Sequence, residues 1–456
     1  RRRTVDPMAA VALAALIVFA ADPVATMTPG FHLSFAAVLV LLWLARRREA
    51  GAPVARWLHA PRQLLVMQVF LLFGLMPLTS LLFQRFAVVA TPVNLVAVPV
   101  FSFVIVPLTL AALTLLRWSE ALTGLFLQAA ARCIDALDRF IDCMVALPYA
   151  NTMLAEIRGV AWLFVLLALA WVVLPRGWPG RHVAVLGVIA IVMWRPPPPP
   201  IDCFDSWVLD VGQGLAVVVQ THEHTMLFDT GMAWRSGGSV AVQSILPFLR
   251  SRRLERIDWL VVSHDDLDHS GGLAAVRDAL PVGAVITGEA ATPGGNRQCV
   301  SGDRWSSGHI DFTVLHPAAE TPDSGNAASC VLRVAAGDHG LLLTGDIEAE
   351  AERTLIQNGA RIASDIVVVP HHGSMTSSSV PFTDSVRPDF AVISAGYANR
   401  WDFPKPRIVE RWRAQGARVL NTATDGAVHF RVCARDGVHG PGIERRLRHR
   451  FWHAAT

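Results

Sequence analysis

The chain has 456 residues, of which 52% are hydrophobic and 17% charged. Soluble domains carry nearer a quarter of charged residues, so this balance argues against a wholly soluble protein and excludes a disordered one. The net charge is only +3, but it is split: 16 Arg against 8 acidic residues in 1–200, and 24 basic against 29 acidic in 201–456. Lys405 is the only lysine, and the six cysteines show no tight spacing. They suggest neither a disulfide scaffold nor a zinc knuckle.

The chain opens Arg1-Arg2-Arg3 without a Met. It reads as a fragment whose natural start, with any signal peptide, lies upstream. Uncharged apolar runs then follow one another at 7–21, 24–45, 64–83, 86–116, 159–175 and 182–194. About 20 apolar residues cross a bilayer, and hydrocarbon forces their backbone into helix. Residues 1–194 are therefore expected to form a polytopic α-helical membrane domain. Pro92, Pro99 and Pro107 fall inside the 31-residue run 86–116, which suggests two short or broken helices there. The arginine-rich loops 46–62 and 176–181 both prefer the cytoplasm. The two agree if 86–116 crosses twice, and the last span then delivers the rest of the chain outside. Residues 120–148 carry charges along one helical face and suggest an amphipathic helix at the interface.

Pro196–Pro200 is a stiff spacer, and residues 195–200 are taken as a linker. Beyond it the apolar runs shorten to strand length, at 207–209, 216–219, 226–228, 259–262, 341–343, 366–369 and 390–393. Turns and charged helices separate them, as in an α/β domain over 201–440. A basic tail, 441–456, follows.

The stretch His264-Asp265-Asp266-Leu267-Asp268-His269 closes an apolar strand and puts four possible metal ligands within six residues. His and carboxylate ligands suit divalent ions, and the carboxylates favour harder ones. Three further strands end in Asp229-Thr230-Gly231, Gly345-Asp346 and His371-His372-Gly373. Each ending alone is an ordinary turn. Together they fit strand ends meeting on one edge of a sheet.

These stretches resemble a metallo-β-lactamase fold, and most closely the hydrolase-like domain of ComEC-type competence proteins, which import DNA. The residues that carry the resemblance are Leu209–Gly214, the run 263–272, Asn326 with Ser329, Leu343–Asp346 and the run 370–379. In the first half, Asp22-Pro23, residues 29–35 and Thr91–Asn94 resemble that family's channel domain. The resemblance covers nearly the whole chain and implies an αββα metallo-β-lactamase-like fold for the second half. The resemblance implies that the family's N-terminal portion would lie upstream of Arg1.

Carried over by motif, the resemblance implies one metal position with His264, Asp266 and a bridging Asp346. A fuller one has Asp268, His269, Asp346 and either His371 or His372. Asp266 stands where the superfamily pattern has a second His. Asp229 is implied as an orienting carboxylate, Asp268, Asp266 and His264 as catalytic, and Asn326, Ser329 and Ser374 as supporting or phosphate-binding groups. The ion is Mn²⁺, Zn²⁺ or Mg²⁺.

The implied function is a membrane channel for single-stranded DNA during natural transformation, with a nuclease domain outside the inner membrane degrading the other strand. No GxxxxGK[ST] is present in the sequence, so separate partners would supply energy and receive the DNA. Two alternatives stay open: a catalytically weak domain serving as a DNA-binding gate, and a membrane-tethered hydrolase of another phosphoester.

Overall fold

The computed structural model describes residues 6–48, 60–153 apart from 84, 88, 148 and 149, and 181–448 apart from 235, 236, 290, 291, 293 and 319–323, with residues 164, 167 and 171 between them. The apolar run 159–175 thus lies almost wholly outside the described residues. The chain divides into two compact units, 1–195 and 196–456.

The first unit is helical. α1 (Pro7–Ala21) starts on Asp6, whose carboxylate accepts from the Met8 N–H, with Pro7 in the first turn. α2 (Pro29–Arg48) and α3 (Ala60–Phe83) pack on each other. After β1 (Arg85–Ala87) the chain forms α4 (Ala90–Val100), a π turn over Phe101–Ile105, and α5 (Val106–Leu115). α6 (Glu120–Val145) folds back on α5. β2 (Asn151–Met153) pairs antiparallel with β1, and α7 spans Arg181–Met193.

Residues 90–115 correct the expected pair of broken helices. They form one continuous helix of 26 residues. At 1.5 Å per residue this is about 39 Å, enough for one tilted crossing and too short for two. Pro92 falls in the first turn, where a missing N–H costs nothing. Pro99 and Pro107 flank the π turn, a usual site where a helix absorbs proline without ending. Among the described residues this is the one helix long and apolar enough to cross a membrane; Pro7–Ala21, Pro29–Ala45 and Leu64–Thr79 are shorter apolar helices.

The second unit holds two sheets. Its strands are β3 (Cys203–Val208), β4 (Val217–Gln220), β5 (Thr225–Phe228), β6 (Ile257–Val262), β7 (Val282–Thr287), β8 (Arg297–Gln298), β9 (Arg304–Ser307), β10 (Ile310–His316), β11 (Val331–Ala336), β12 (His339–Leu343), β13 (Ile366–Val368), β14 (Phe390–Ile393), β15 (Arg418–Asn421), β16 (Val428–Cys433) and β17 (Gly437–Ile443). One sheet runs β17-β16-β3-β4-β5-β6-β7-β8 and the other β15-β14-β13-β12-β11-β10-β9. Phe204, Val217, Phe228 and Val261 of the first sheet and Phe312, Leu332, Leu341 and Val368 of the second share one buried core. The alternate residues of the second sheet (Leu342, Val367, Ala391, Ile393) pack instead with Leu355, Phe382, Ile408 and Trp412 of helices Ala349–Gln357, Val380–Val386 and Pro406–Ala414. On the outer face of the first sheet, Trp207 meets Phe248 of helix Leu246–Ser251. The period-two alternation of the strands thus builds helix, sheet, sheet and helix in layers.

β5, β6 and β7 are parallel, as are β12, β13, β14 and β15. Parallel strands present their carboxyl ends on one edge, where α/β sites assemble. Four of the six cysteines pair, Cys203 with Cys433 and Cys299 with Cys330, pairings that their scattered spacing left open. The cause is register: Cys203 and Cys433 lie 230 residues apart in sequence but face each other on β3 and β16.

Candidate metal centre

Asp229, Ser263-His264, Thr344-Gly345-Asp346 and Pro370-His371-His372 follow directly or within two residues on β5, β6, β12 and β13. The backbone there is tightly shaped. Gly345 has φ 54°, and a Cβ on it would lie 2.8 Å from the Ser263 Cβ. Gly214 has φ 119°, and a Cβ would meet the Asp268 carbonyl at 2.3 Å. His371 and His372 are consecutive left-handed residues at φ 50° and 53°, an arrangement that costs about 1–3 kcal/mol per residue and is retained mainly at functional sites.

Three imidazoles, of His264, His269 and His372, are buried on this edge. The partner at each Nδ1 fixes the tautomer. His269 Nδ1–H donates to Asp229 Oδ2 at 2.7 Å, and His372 Nδ1–H donates to the Ser394 carbonyl at 2.8 Å. The Ser263 hydroxyl gives its proton to Asp229 Oδ2 at 2.8 Å, so its oxygen accepts from His264 Nδ1–H at 3.0 Å. In their neutral forms all three rings therefore present a bare Nε2. Each of these three Nε2 atoms is buried without a hydrogen-bond partner.

Carboxylates surround those nitrogens without lining up with them. Asp346 Oδ1 is 3.2 Å from His269 Nε2, and Asp346 Oδ2 is 3.5 Å from His372 Nε2. Asp268 Oδ2 is 3.4 Å from His372 Nε2. Two sets of ligand atoms fall within 4.8 Å of one another: His264, His269 and Asp346, and Asp268, His269 and His372. Buried lone pairs gathered in two sets that share His269, with carboxylates between them, fit divalent metal as the missing partner.

The charges respond as a group. Burial alone would raise Asp346 and Asp268 and lower His269 and His372, but their mutual attraction reverses every shift. Asp346 falls well below the carboxylate range, Asp268 falls to about 2, His269 rises well above the usual imidazole value, and His372 rises. Protons and a metal ion thus compete for the same nitrogens.

The remaining candidates lie at the rim. Asp266 stands outside both clusters, with its side chain 60% exposed and Oδ2 3.5 Å from His264 Nε2. His371 Nδ1 lies 3.4 Å from Glu348 and 3.1 Å from Thr376, and its Nε2 stands back from Asp346 at 3.8 Å. Asn326 Nδ2 donates to Glu348 at 3.4 Å. Ser329 Oγ accepts the Asp346 N–H at 3.2 Å and lies 3.4 Å from His264 Nδ1. The Ser374 hydroxyl bonds Thr376 at 3.1 Å and closes its own loop.

Sequence reasoning missed several supports. Ser263 links Asp229 to two of the rings. Thr230 holds the His269 carbonyl through both its N–H and its hydroxyl. Glu289 accepts from the Asp265 and Gly325 N–H groups. Buried Glu352 accepts from the Ser378 and Ser379 N–H groups and anchors the loop after the histidines. Ser263 and Thr230 adjoin motif residues and were legible by position. Glu289 and Glu352 had no local signal.

Both halves of the chain match known protein families. Residues 209–397 match the family model of the metallo-beta-lactamase superfamily, and residues 1–179 match that of the competence protein. The second unit is thus a metallo-β-lactamase-like domain. Over 94% of its length the chain is homologous to ComA/ComEC-type competence proteins. It is 35% identical to competence protein ComA of Neisseria gonorrhoeae over 94% of this chain and 58% of that one. It is 31% identical to recombination protein 2 of Haemophilus influenzae, again over 94% of this chain and 58% of that one. The chain therefore spans just over half the length of these relatives. Among solved structures, the metallo-beta-lactamase fold protein YhfI of Bacillus subtilis aligns with TM-score 0.36 and 10% identity, over 50% of this chain and 99% of that one.

Proposed function

We propose that this chain serves uptake of single-stranded DNA in natural transformation, its first unit forming a polytopic inner-membrane channel and its second cutting the strand that is not imported. The observation that carries the catalytic part is the convergence of three buried, unpartnered Nε2 atoms on Asp346 and Asp268. The competence-protein match over 1–179 and the homologues named above support the role in DNA uptake.

His264, His269, Asp346, Asp268 and His372 would hold the divalent ion, Mn²⁺, Zn²⁺ or Mg²⁺. Such an ion supplies a water nucleophile near neutral pH and polarises a phosphoryl oxygen. Asp268 keeps 24% of its side chain exposed, so it can both face the ion and accept a hydrogen bond from the attacking water. Asp229 and the Ser394 carbonyl hold the rings in the ligating tautomer. The two disulfides support an extracytoplasmic domain, because such bonds persist in oxidising compartments. This support does not depend on counting membrane crossings.

A second reading, a domain that grips DNA without turning it over, is favoured by Asp266 standing outside both ligand sets. Supplying the purified full chain with each ion and offering single-stranded and duplex DNA separates the two. The nuclease reading expects metal-dependent cleavage that Asp268→Ala abolishes. Binding without cleavage under every ion supports the gate instead.

A further inference from the structure

One loop at the edge of the metal cluster has a composition the cluster itself does not need. Residues 396–405 follow β14 and carry Tyr397, Arg400, Trp401, Phe403 and Lys405. The chain has two tyrosines and one lysine in all, and this loop holds one of the former and the latter. Tyr397 is 67% exposed and Trp401 37%, so both rings reach solvent, Trp401 with Arg400 lying over one of its faces.

The loop is rigid and tied to the histidines. Asn399 makes four hydrogen bonds within it: Nδ2 donates to the Gly396 and Phe403 carbonyls, and Oδ1 accepts from the Trp401 and Phe403 N–H groups. The Lys405 N–H donates to the Gly373 carbonyl at 3.0 Å. A Cβ on Gly373 would lie 2.7 Å from the Pro404 Cβ, so the two segments are in close contact. The rings step inward from solvent. Trp401 and Phe403 are nearly parallel, 9° apart with centroids 6.4 Å apart, and Phe403 lies 6.4 Å from His372. Cations flank the rings: Arg400 sits 4.0 Å over Trp401, and the Lys405 ammonium 5.7 Å from Phe403. Asp402 is the one acidic side chain in the loop.

We infer that this loop is a base-stacking platform for single-stranded nucleic acid, on which Trp401 and Tyr397 take bases of the strand whose backbone phosphate enters the cluster. The inference deepens the nuclease reading above and rests on it for the identity of the reacting phosphate. Exposed aromatic faces with neighbouring cations are what an unpaired strand recognises, since every base has a π face and every link a negative charge. A duplex keeps its bases stacked inside and cannot use such rings. Because Asn399 holds the loop in shape before binding, little ordering cost falls on the complex.

The test is photo-crosslinking of the full chain in detergent to a single-stranded oligonucleotide carrying 5-iodouracil, with adducts located by mass spectrometry. Adducts at Trp401 or Tyr397 are expected. Adducts confined to other parts of the chain, or none at all, overturn the platform. In parallel, fluorescence anisotropy compares an ordinary oligonucleotide with an abasic one of equal length. Trp401→Ala should weaken binding of the former roughly 5- to 150-fold with little change for the latter, and Trp401→Phe should restore most of the loss. Equal affinity of Trp401→Ala and wild type for the ordinary strand also overturns it. Failure of the nuclease reading registers separately, as no hydrolysis by the metal-supplied wild-type chain, and leaves both binding readouts intact.

Discussion

Asp229 and His269 share a 2.7 Å hydrogen bond between two side chains with no solvent exposure. The same carboxylate accepts from the Ser263 N–H at 2.6 Å and from its hydroxyl. Asp229→Ala would therefore leave three donors without their partner and free the His269 ring to turn. We expect metal affinity to fall about 10- to 100-fold. Isothermal titration with Mn²⁺ or Zn²⁺ measures it, and unchanged affinity would remove Asp229 from the site.

The two adjacent histidines should differ. His372 is buried with its Nε2 beside Asp268 and Asp346, whereas His371 turns toward Glu348 and Thr376. His372→Ala should lose most of the bound ion, while His371→Ala should retain it. Elemental analysis of the two purified variants decides the matter. A loss of equal size in both would mean that both rings ligate.

Away from the metal edge, Asp205 on β3 is clamped by Arg431 on β16. Its carboxylate accepts from Arg431 Nε and Nη2 at 2.8 Å each and from His429 Nε2 at 3.2 Å. Burial alone would raise this carboxyl, but the hydrogen bonds from His429 and Arg431 and the guanidinium charge outweigh burial and hold it below the ordinary range. A carboxyl depressed in the folded state stabilises fully above its unfolded pKa of about 4 and loses that contribution as pH falls through the lower folded value. Arg431→Met should thus cost about 3 kcal/mol at pH 7 and progressively less below pH 4. Calorimetric unfolding of wild type and variant across that range checks the convergence.

Thiol chemistry gives a fourth test. Cys203, Cys433, Cys299 and Cys330 are paired, and Cys133 and Cys143 are free. Alkylation of the denatured, unreduced chain should add two labels, rising to six after reduction. Loss of the Cys203–Cys433 bond should destabilise the second unit by about 2–4 kcal/mol. Six labels without reductant would remove the main support for an oxidising compartment.

Much of the site was legible because its residues close strands. His264, Asp346 and His372 follow short apolar runs, and the parallel order of those strands brings their ends together. What could not be read was direction. Nothing in the spacing distinguishes His371 from His372, since two left-handed residues aim consecutive rings differently. Nor does the sequence show that Asp266 faces solvent while Asp268, two residues on, turns inward at the start of a short helix. In the first unit, the prolines of 86–116 signalled a break that a π turn absorbs. The pairing of Cys203 with Cys433 depends on the register of two strands from opposite ends of the unit, which no local pattern encodes.

β17 ends at Ile443, which pairs with Val428, and Val428 in turn pairs with Val208, the last residue of β3. Arg445 then reaches Asp210, in the segment that runs on to Gly214 beneath Asp268. Cys203, by contrast, opens β3 at the far end of the strand. A fluorescent fusion inserted directly after Arg445 would accordingly emerge at the cluster's end of the sheet, beside the approach to it. One spliced in ahead of Cys203 would hang from the opposite pole of the sheet and leave that approach open.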